Sequence, residues 1–165
     1  MPQEFNLQEA LRLAIQTEKD VMDFYNKAAA MTGNERGRKV FEQLAREESD
    51  HAGHFFHLYT GQDLGSFAEF MARPARMEQV MLRELEKALN ENIHERRAME
   101  IALKEEEDLA KQLRLTAEKI VDPQVRSVFE RMAKETEHHF ALIESEYARL
   151  MGMVHETDVD TFVRE

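Results

Sequence analysis

The 165-residue chain contains no cysteine, which excludes disulfides, cysteine-ligated zinc and iron–sulfur clusters. Any metal must then be held by carboxylate and imidazole, ligands suited to hard and borderline cations. Basic residues are also scarce, 22 Lys and Arg against 33 Asp and Glu, giving a formal charge of −11. That balance argues against a nucleic-acid partner and favours cations. No uninterrupted apolar run reaches the roughly eighteen residues of a membrane span. The N-terminal Met-Pro-Gln-Glu-Phe-Asn also lacks a basic segment followed by an apolar one. These absences predict a soluble, cytoplasmic protein with no membrane partner, and the length suits one domain with one hydrophobic core.

What the sequence does contain is a repeat. Val40 to His51 reads VFEQLAREESDH, and Val128 to His139 reads VFERMAKETEHH, with Phe129 lying 88 residues after Phe41. The same offset holds without a gap over a long span. It pairs Ala14 with Ala102, Glu18 with Glu106, Asp20 with Asp108, Ala29 with Ala117, Ala45 with Ala133, Glu47 with Glu135, His51 with His139 and Tyr59 with Tyr147. A repeat of this length is a supersecondary unit that needs its twin to bury its apolar face. Two helical hairpins forming one all-α four-helix bundle are expected, related by a pseudo-twofold and joined by a long crossover.

Helix signals fix the pieces. Asn6 is an N-cap candidate with Glu9 three residues on, so a first helix is expected from there to about Met31, ended by Thr32-Gly33-Asn34. A second runs from about Glu35 to Tyr59, stopped by Gly61-Gln-Asp-Leu-Gly65. The segment from Ser66 to about Asn92 is the crossover. Its Arg76–Leu89 stretch reads as a short extra helix, and its Phe67, Phe70, Met71 and Met77 are read as packing. A third long helix is expected from near Asn92 to Val121. A fourth starts at Pro123, a favoured first helical residue, and ends about Met151. Residues 1–151 thus form the bundle, and a tail of residues 152–165 follows, ending in Phe162-Val163 before its last two residues.

Polar residues interrupt the apolar stripes at matching places. Glu18 sits among Leu11, Ala14, Val21 and Tyr25, and Glu106 among Met99, Ala102, Leu109 and Leu113. Glu48 and His51 share the stripe of Phe41, Leu44 and Phe55, so both point toward the core. A single acid on such a stripe ordinarily reaches water at its edge, and a single histidine there is ordinarily a satisfied core residue. His54 and His57 rotate off the stripe and are read as surface. It is the repetition that singles out Glu106 from the run Glu105–Asp108. Buried carboxylates without Lys or Arg on the same stripes cost several kcal/mol each unless they hold protons or a metal ion.

On these motifs the chain resembles the rubrerythrin branch of the ferritin-like superfamily from about Leu7 to Leu150. The resemblance rests on Glu18 with Tyr25 seven residues on, Ala45-x-Glu-Glu48-x-x-His51, Glu106, and Ala133-x-Glu-Thr-x-x-His139. In bundles of this family two helices each give a Glu and the other two each give a Glu-x-x-His pair to a dinuclear centre. The resemblance implies a ferritin-like fold and two bound ions, iron first, with manganese or zinc as alternatives. Glu18, Glu48, His51, Glu106 and His139 would be the ligands and Tyr25 would stand behind them. It also implies chemistry on peroxide or dioxygen. Without cysteine there is no rubredoxin-like domain, so an external electron donor such as rubredoxin would be required.

One departure stands out: Thr136 occupies the position of the second Glu. The literal Glu135-x-x-His138 does not repair this, because His138 lies about 100° from His139 on the helix and faces solvent. Glu135 shares a face with Met132 and His139 and can swing in as a substitute metal ligand, which leaves a complete, an asymmetric or a one-metal site open. In the asymmetric case the half formed by Glu18, Glu48 and His51 should fill better than the half formed by Glu106 and His139. Three functions follow: an oxidoreductase of peroxide-reductase or ferroxidase type, a non-catalytic helical module with a degraded site, and ferritin-type iron oxidation and storage. A homodimer is expected from the apolar residues of the crossover.

Overall fold

The computed structural model describes residues 4–89 and 94–163, and among them there are six helices and no strand. Helix α1 spans Leu7–Met31, α2 Glu35–Leu58, α3 Phe67–Met71, α4 Val80–Leu89, α5 His94–Glu118 and α6 Pro123–Val163. Asn6 caps α1 as the sequence indicates, and Asn34 and Asp122 cap α2 and α6. Asn6 accepts from the Glu9 N–H at 3.1 Å, and Asn34 accepts from the Gly37 N–H at 2.9 Å. Asp122 accepts from the N–H groups of Gln124 and Val125 at the start of α6. Each side-chain acceptor satisfies donors that the first helical turn leaves without partners.

Three residues separate α1 from α2, and four separate α5 from α6, so each pair folds back on itself. The main packing is α1 on α2 and α5 on α6, with α2 meeting α6 and α1 meeting α5 across the bundle. Helix α4 lies on α5 and α1, and α3 touches α2.

The core is split in two. One cluster holds Tyr25, Phe41, Leu44, Met99 and Ala102, and the other holds Leu113, Phe129, Met132, Leu11 and Ala14. Each residue in the first set is the 88-residue counterpart of one in the second, so the internal symmetry exchanges the two ends of the bundle. Phe41 and Phe129 are equivalently buried, the first stacked on Tyr25 at 6.1 Å and the second tilted against Phe55 at 4.9 Å. Burying a side chain of this size contributes about 2 kcal/mol. The axis of the repeat passes between the clusters, where the polar residues lie.

Several boundaries differ from expectation. Helix α4 begins at Val80 rather than Arg76, because Arg76 leaves the helical path to pair with Asp20 on α1. The turn closes with Gln79 N–H donating to the Arg76 carbonyl at 3.1 Å. Ser66 caps the unexpected short helix α3, with Gly65 before it at φ 73°, a conformation that favours glycine. Helix α6 does not end about Met151. Its backbone continues to Val163, since a single Gly152 costs a helix only about 1 kcal/mol and no proline follows. The side chains from Met153 onward, including Phe162 and Val163, lie outside the described residues, as does the expected start of α5 near Asn92.

The crossover spends most of its apolar residues inside the chain. Phe70, Met81, Leu82 and Leu85 are buried, which among the described residues leaves Met77 and Val80 as its large exposed apolar side chains.

Candidate metal centre

Between the two apolar clusters lies a layer in which Glu18, Glu48, Glu106 and Thr136 are fully buried and His51 and His139 nearly so. Helix α1 supplies Glu18, α2 Glu48 and His51, α5 Glu106, and α6 Thr136 and His139. Glu48 is central. Its carboxylate is 2.9 Å from His139 Nδ1 and 3.7 Å from His51 Nδ1, so it reaches both hairpins. His51 Nδ1 is also 3.7 Å from Glu18, and His139 Nδ1 is 3.7 Å from Glu106. The two imidazoles are stacked, their centroids 5.1 Å apart and their planes 8° from parallel. Ligand atoms of Glu48, His51 and His139 lie within 4.8 Å of one another.

No Lys or Arg pairs with these acids among the described residues. Lys19, next to Glu18, is buried as well, but its ammonium sits 2.5 Å from Asp23. Both oxygens of Glu18, one oxygen each of Glu48 and Glu106, and Nδ1 of His51 have no hydrogen-bond partner. Five orphaned polar atoms meeting in one dry layer is a costly arrangement for a protein to leave unmet. A hard or borderline divalent cation would satisfy them all, so the donor set fits the metal centre that the motifs imply.

The electrostatics agree. Burial, then the neighbouring Glu18 and Glu106, push the Glu48 carboxyl well above the usual carboxylate range. Burial pulls the His51 imidazolium down, but Glu18, Glu135 and Glu106 together outweigh it and the balance is upward. Both shifts favour the protonated forms of Glu48 and His51, with which a bound metal ion would compete. Tyr25, fully buried, donates to Glu106 Oε1 at 2.6 Å, and burial followed by Glu106 and Glu48 raises its phenol well above the ordinary value.

The structure brings together Glu18, Glu48, His51, Glu106 and His139, with Tyr25 behind Glu106. It does not bring in Glu135. That carboxylate is half-exposed and lies 2.8 Å from Nε2 of His51, on the side of the ring away from the buried acids. In this arrangement Glu135 lies at the outward edge of the imidazole and not at the place of the missing acid. Thr136 does point inward, yet its hydroxyl donates to the Met132 carbonyl at 2.7 Å within its own helix.

Glu135 has a different part to play. A carboxylate at one ring nitrogen fixes the tautomer, holding the proton on Nε2 and leaving Nδ1 free as a ligand. On the other hairpin Glu47 stands 3.6 Å from Nε2 of His139. The two carboxylates are crossed, each serving the histidine of the opposite hairpin. Glu47 was legible only through the repeat, which pairs it with Glu135.

The break in symmetry is twofold. Glu48 has Thr136 as its counterpart, and Tyr25 has Leu113. Glu106 therefore carries a phenol hydrogen bond that Glu18 lacks, in the half of the layer that also lacks the second acid.

The chain has known relatives. Over 57 residues, 34% of the chain, it is 40% identical to a ferritin-like–encapsulin shell fusion protein from Pyrococcus furiosus. The aligned stretch spans only 16% of that protein. Among solved structures, a hypothetical protein from Pyrococcus furiosus superimposes with a TM-score of 0.66 at 20% identity, covering 90% of this chain and 92% of the other. That likeness shows a shared helical-bundle fold. The Rubrerythrin family matches residues 9–147, a span that includes both hairpins and every residue of the buried layer, and the chain belongs to that family.

Proposed function

We propose that the protein binds iron in the buried layer, through Glu18, Glu48, His51, Glu106 and His139, and acts as an oxidoreductase on peroxide or dioxygen with an external electron donor. The observation that carries the metal reading is the set of orphaned carboxylate and imidazole atoms in the core, to which no Lys or Arg pairs among the described residues. When bound, iron would supply electron transfer and Lewis acidity toward an oxygen substrate.

The chain's own residues do the rest. Glu48 spans the two hairpins, and Glu18 and Glu106 close the layer from α1 and α5. Glu135 orients His51, Glu47 stands behind His139, and Tyr25 holds one oxygen of Glu106 and keeps a proton at its phenol. Phe41 and Leu44 on one side and Phe129 and Met132 on the other exclude water.

A second reading, ferritin-type iron oxidation and storage, draws on the partial likeness to a protein named as ferritin-like. Metal stoichiometry followed by turnover separates the readings. Two irons per chain with peroxide consumption driven by a reduced donor such as rubredoxin support the oxidoreductase. Oxidation of many Fe²⁺ per chain without a donor supports storage. A folded protein that takes up no Fe²⁺ at all refutes both and leaves a non-catalytic helical module. The homodimer and the cytoplasmic location are part of the same proposal, the dimer resting on exposed Met77 and Val80. Sedimentation at the 19.3 kDa monomer mass at micromolar concentration would refute the dimer.

A further inference from the structure

The internal repeat exchanges the two halves of the groove between α1 and α5, and one half alone is covered by the chain itself. On the first half α4 lies across both helices, with Met81, Leu82 and Leu85 buried in one cluster with Phe24, Ala98 and Ile101. Arg76, just ahead of α4, pairs with Asp20 there. The second half is an open groove of about 260 Å³. Its Gln112, Ala10 and Leu13 are the 88-residue counterparts of Phe24, Ala98 and Ile101, and its Asp108 is the counterpart of Asp20. Leu13 is 63% exposed, whereas Ile101 is 5% exposed. We propose that the open half is a docking site for an amphipathic helix of a partner protein, seated as α4 is on the first half and carrying a basic residue that pairs with Asp108.

The lining of the groove defines the occupant. Leu13, Leu109, Leu113 and Phe129 give it an apolar floor, the complement of a Leu and Met stripe such as that of α4. Glu105 and Asp108 border that floor, and no Lys or Arg pairs with either among the described residues. Asp20, by contrast, is buried and held by Arg76 and by the Gln16 amide, which donates to it at 2.9 Å. An apolar groove bordered by unpaired carboxylates is complementary to a helix that joins an apolar stripe to a cation. Glu84 of α4 lies 3.4 Å from Arg97, and the counterpart of Arg97 is Glu9. The occupant therefore carries a base where α4 carries Glu84. A second copy of the chain could offer its α4 only by unseating it from its own first half, which points to a partner protein.

The test titrates a fluorescent peptide of residues 74–89, which is α4 with Arg76, into the full chain and reads anisotropy. Saturable binding at one site is expected. Leu13→Glu, at an exposed position, should abolish it. Asp108→Asn should weaken binding about tenfold. Arg76→Gln in the peptide should do the same, with no further loss when both are changed. Glu84→Lys in the peptide should tighten binding about twofold. Val121→Glu, at a fully solvated position outside the groove, should leave binding unchanged. Because so short a segment is marginally helical when free, it is also joined ahead of residue 4 by a Gly-Ser linker. Tethering should raise the melting temperature, and Leu13→Glu should cancel the rise. No peptide binding and no rise on tethering would overturn the proposal. Binding that Leu13→Glu leaves intact would also overturn it, since the peptide would then be exchanging with α4 on the covered half. If the chain alone sediments as a dimer that Leu13→Glu dissolves, the occupant is a second copy and the partner helix is overturned.

Discussion

Replacing Thr136 by Glu would restore the acid that the repeat places opposite Glu48, with effects of opposite sign in the metal-free and metal-bound protein. The position is fully buried, and the layer already holds Glu18, Glu48 and Glu106 without a Lys or Arg. A fourth carboxylate there is an uncompensated buried charge, costing about 3–5 kcal/mol unless it takes up a proton. Losing the Thr136 hydroxyl adds little, since its acceptor, the Met132 carbonyl, lies within α6 and keeps its place in the helix. In a domain of this size 1 kcal/mol moves the melting temperature by about 2–4 °C, so the metal-free variant should melt about 10 °C lower than wild type. Metal reverses the sign. At a concentration a hundred times the dissociation constant, binding contributes about 2.7 kcal/mol, and the new acid adds both an anion and a bridge for a second ion. Thermal melts with and without anaerobic Fe²⁺, together with metal content after desalting, measure both effects, and Thr136→Gln controls for bulk. The expected result is a lower melt without metal, a larger metal-induced rise, and more metal per chain in Thr136→Glu only. If Thr136→Glu melts with Thr136→Gln and carries no more metal than wild type, the layer does not respond to charge and the asymmetry argument fails.

Glu48→Gln should abolish metal uptake and flatten the pH dependence of metal-free stability. The raised Glu48 pKa means that stability present below the unfolded value is lost as pH rises toward the folded one, so urea melts across pH should fall less steeply in the variant. Glu105, pushed up to about 7 by burial, then Glu106 and Asp108, acts with the same sign over the window from 4.5 to about 7. Glu105→Gln should shrink the difference in stability between pH 5 and pH 8 by up to about 3 kcal/mol, and an unchanged difference would refute the assignment. Phe41→Ala and Phe129→Ala should each cost about 3–5 kcal/mol and agree closely, being equivalent positions at opposite ends of the bundle. A near-silent member of that pair in denaturant melts would break the symmetry argument.

The sequence by itself determined the bundle and the members of its polar layer. The cap at Asn6 marked a helix start because a side-chain acceptor meets a local need. The 88-residue offset then chose Glu106 from four consecutive acids and set Thr136 apart as the odd residue. Helical periodicity is a local property, so it showed which stripe each residue lies on. It could not show what a stripe meets, because contacts between hairpins join residues far apart in sequence and depend on how each helix is rotated against its neighbour. A turn of one residue, about 100°, separates His139 in the layer from exposed His138. Tertiary packing alone decided that Glu135 lies at the outer edge of His51, that Lys19 spends its charge on Asp23, and that Tyr25 bonds Glu106. It also turned Nδ1 of both histidines toward the buried acids and Nε2 toward the crossed carboxylates. It buried Met81 and Leu85 of the crossover within the chain, since α4 packs on α1 and α5, and Phe70, since α3 packs on α2.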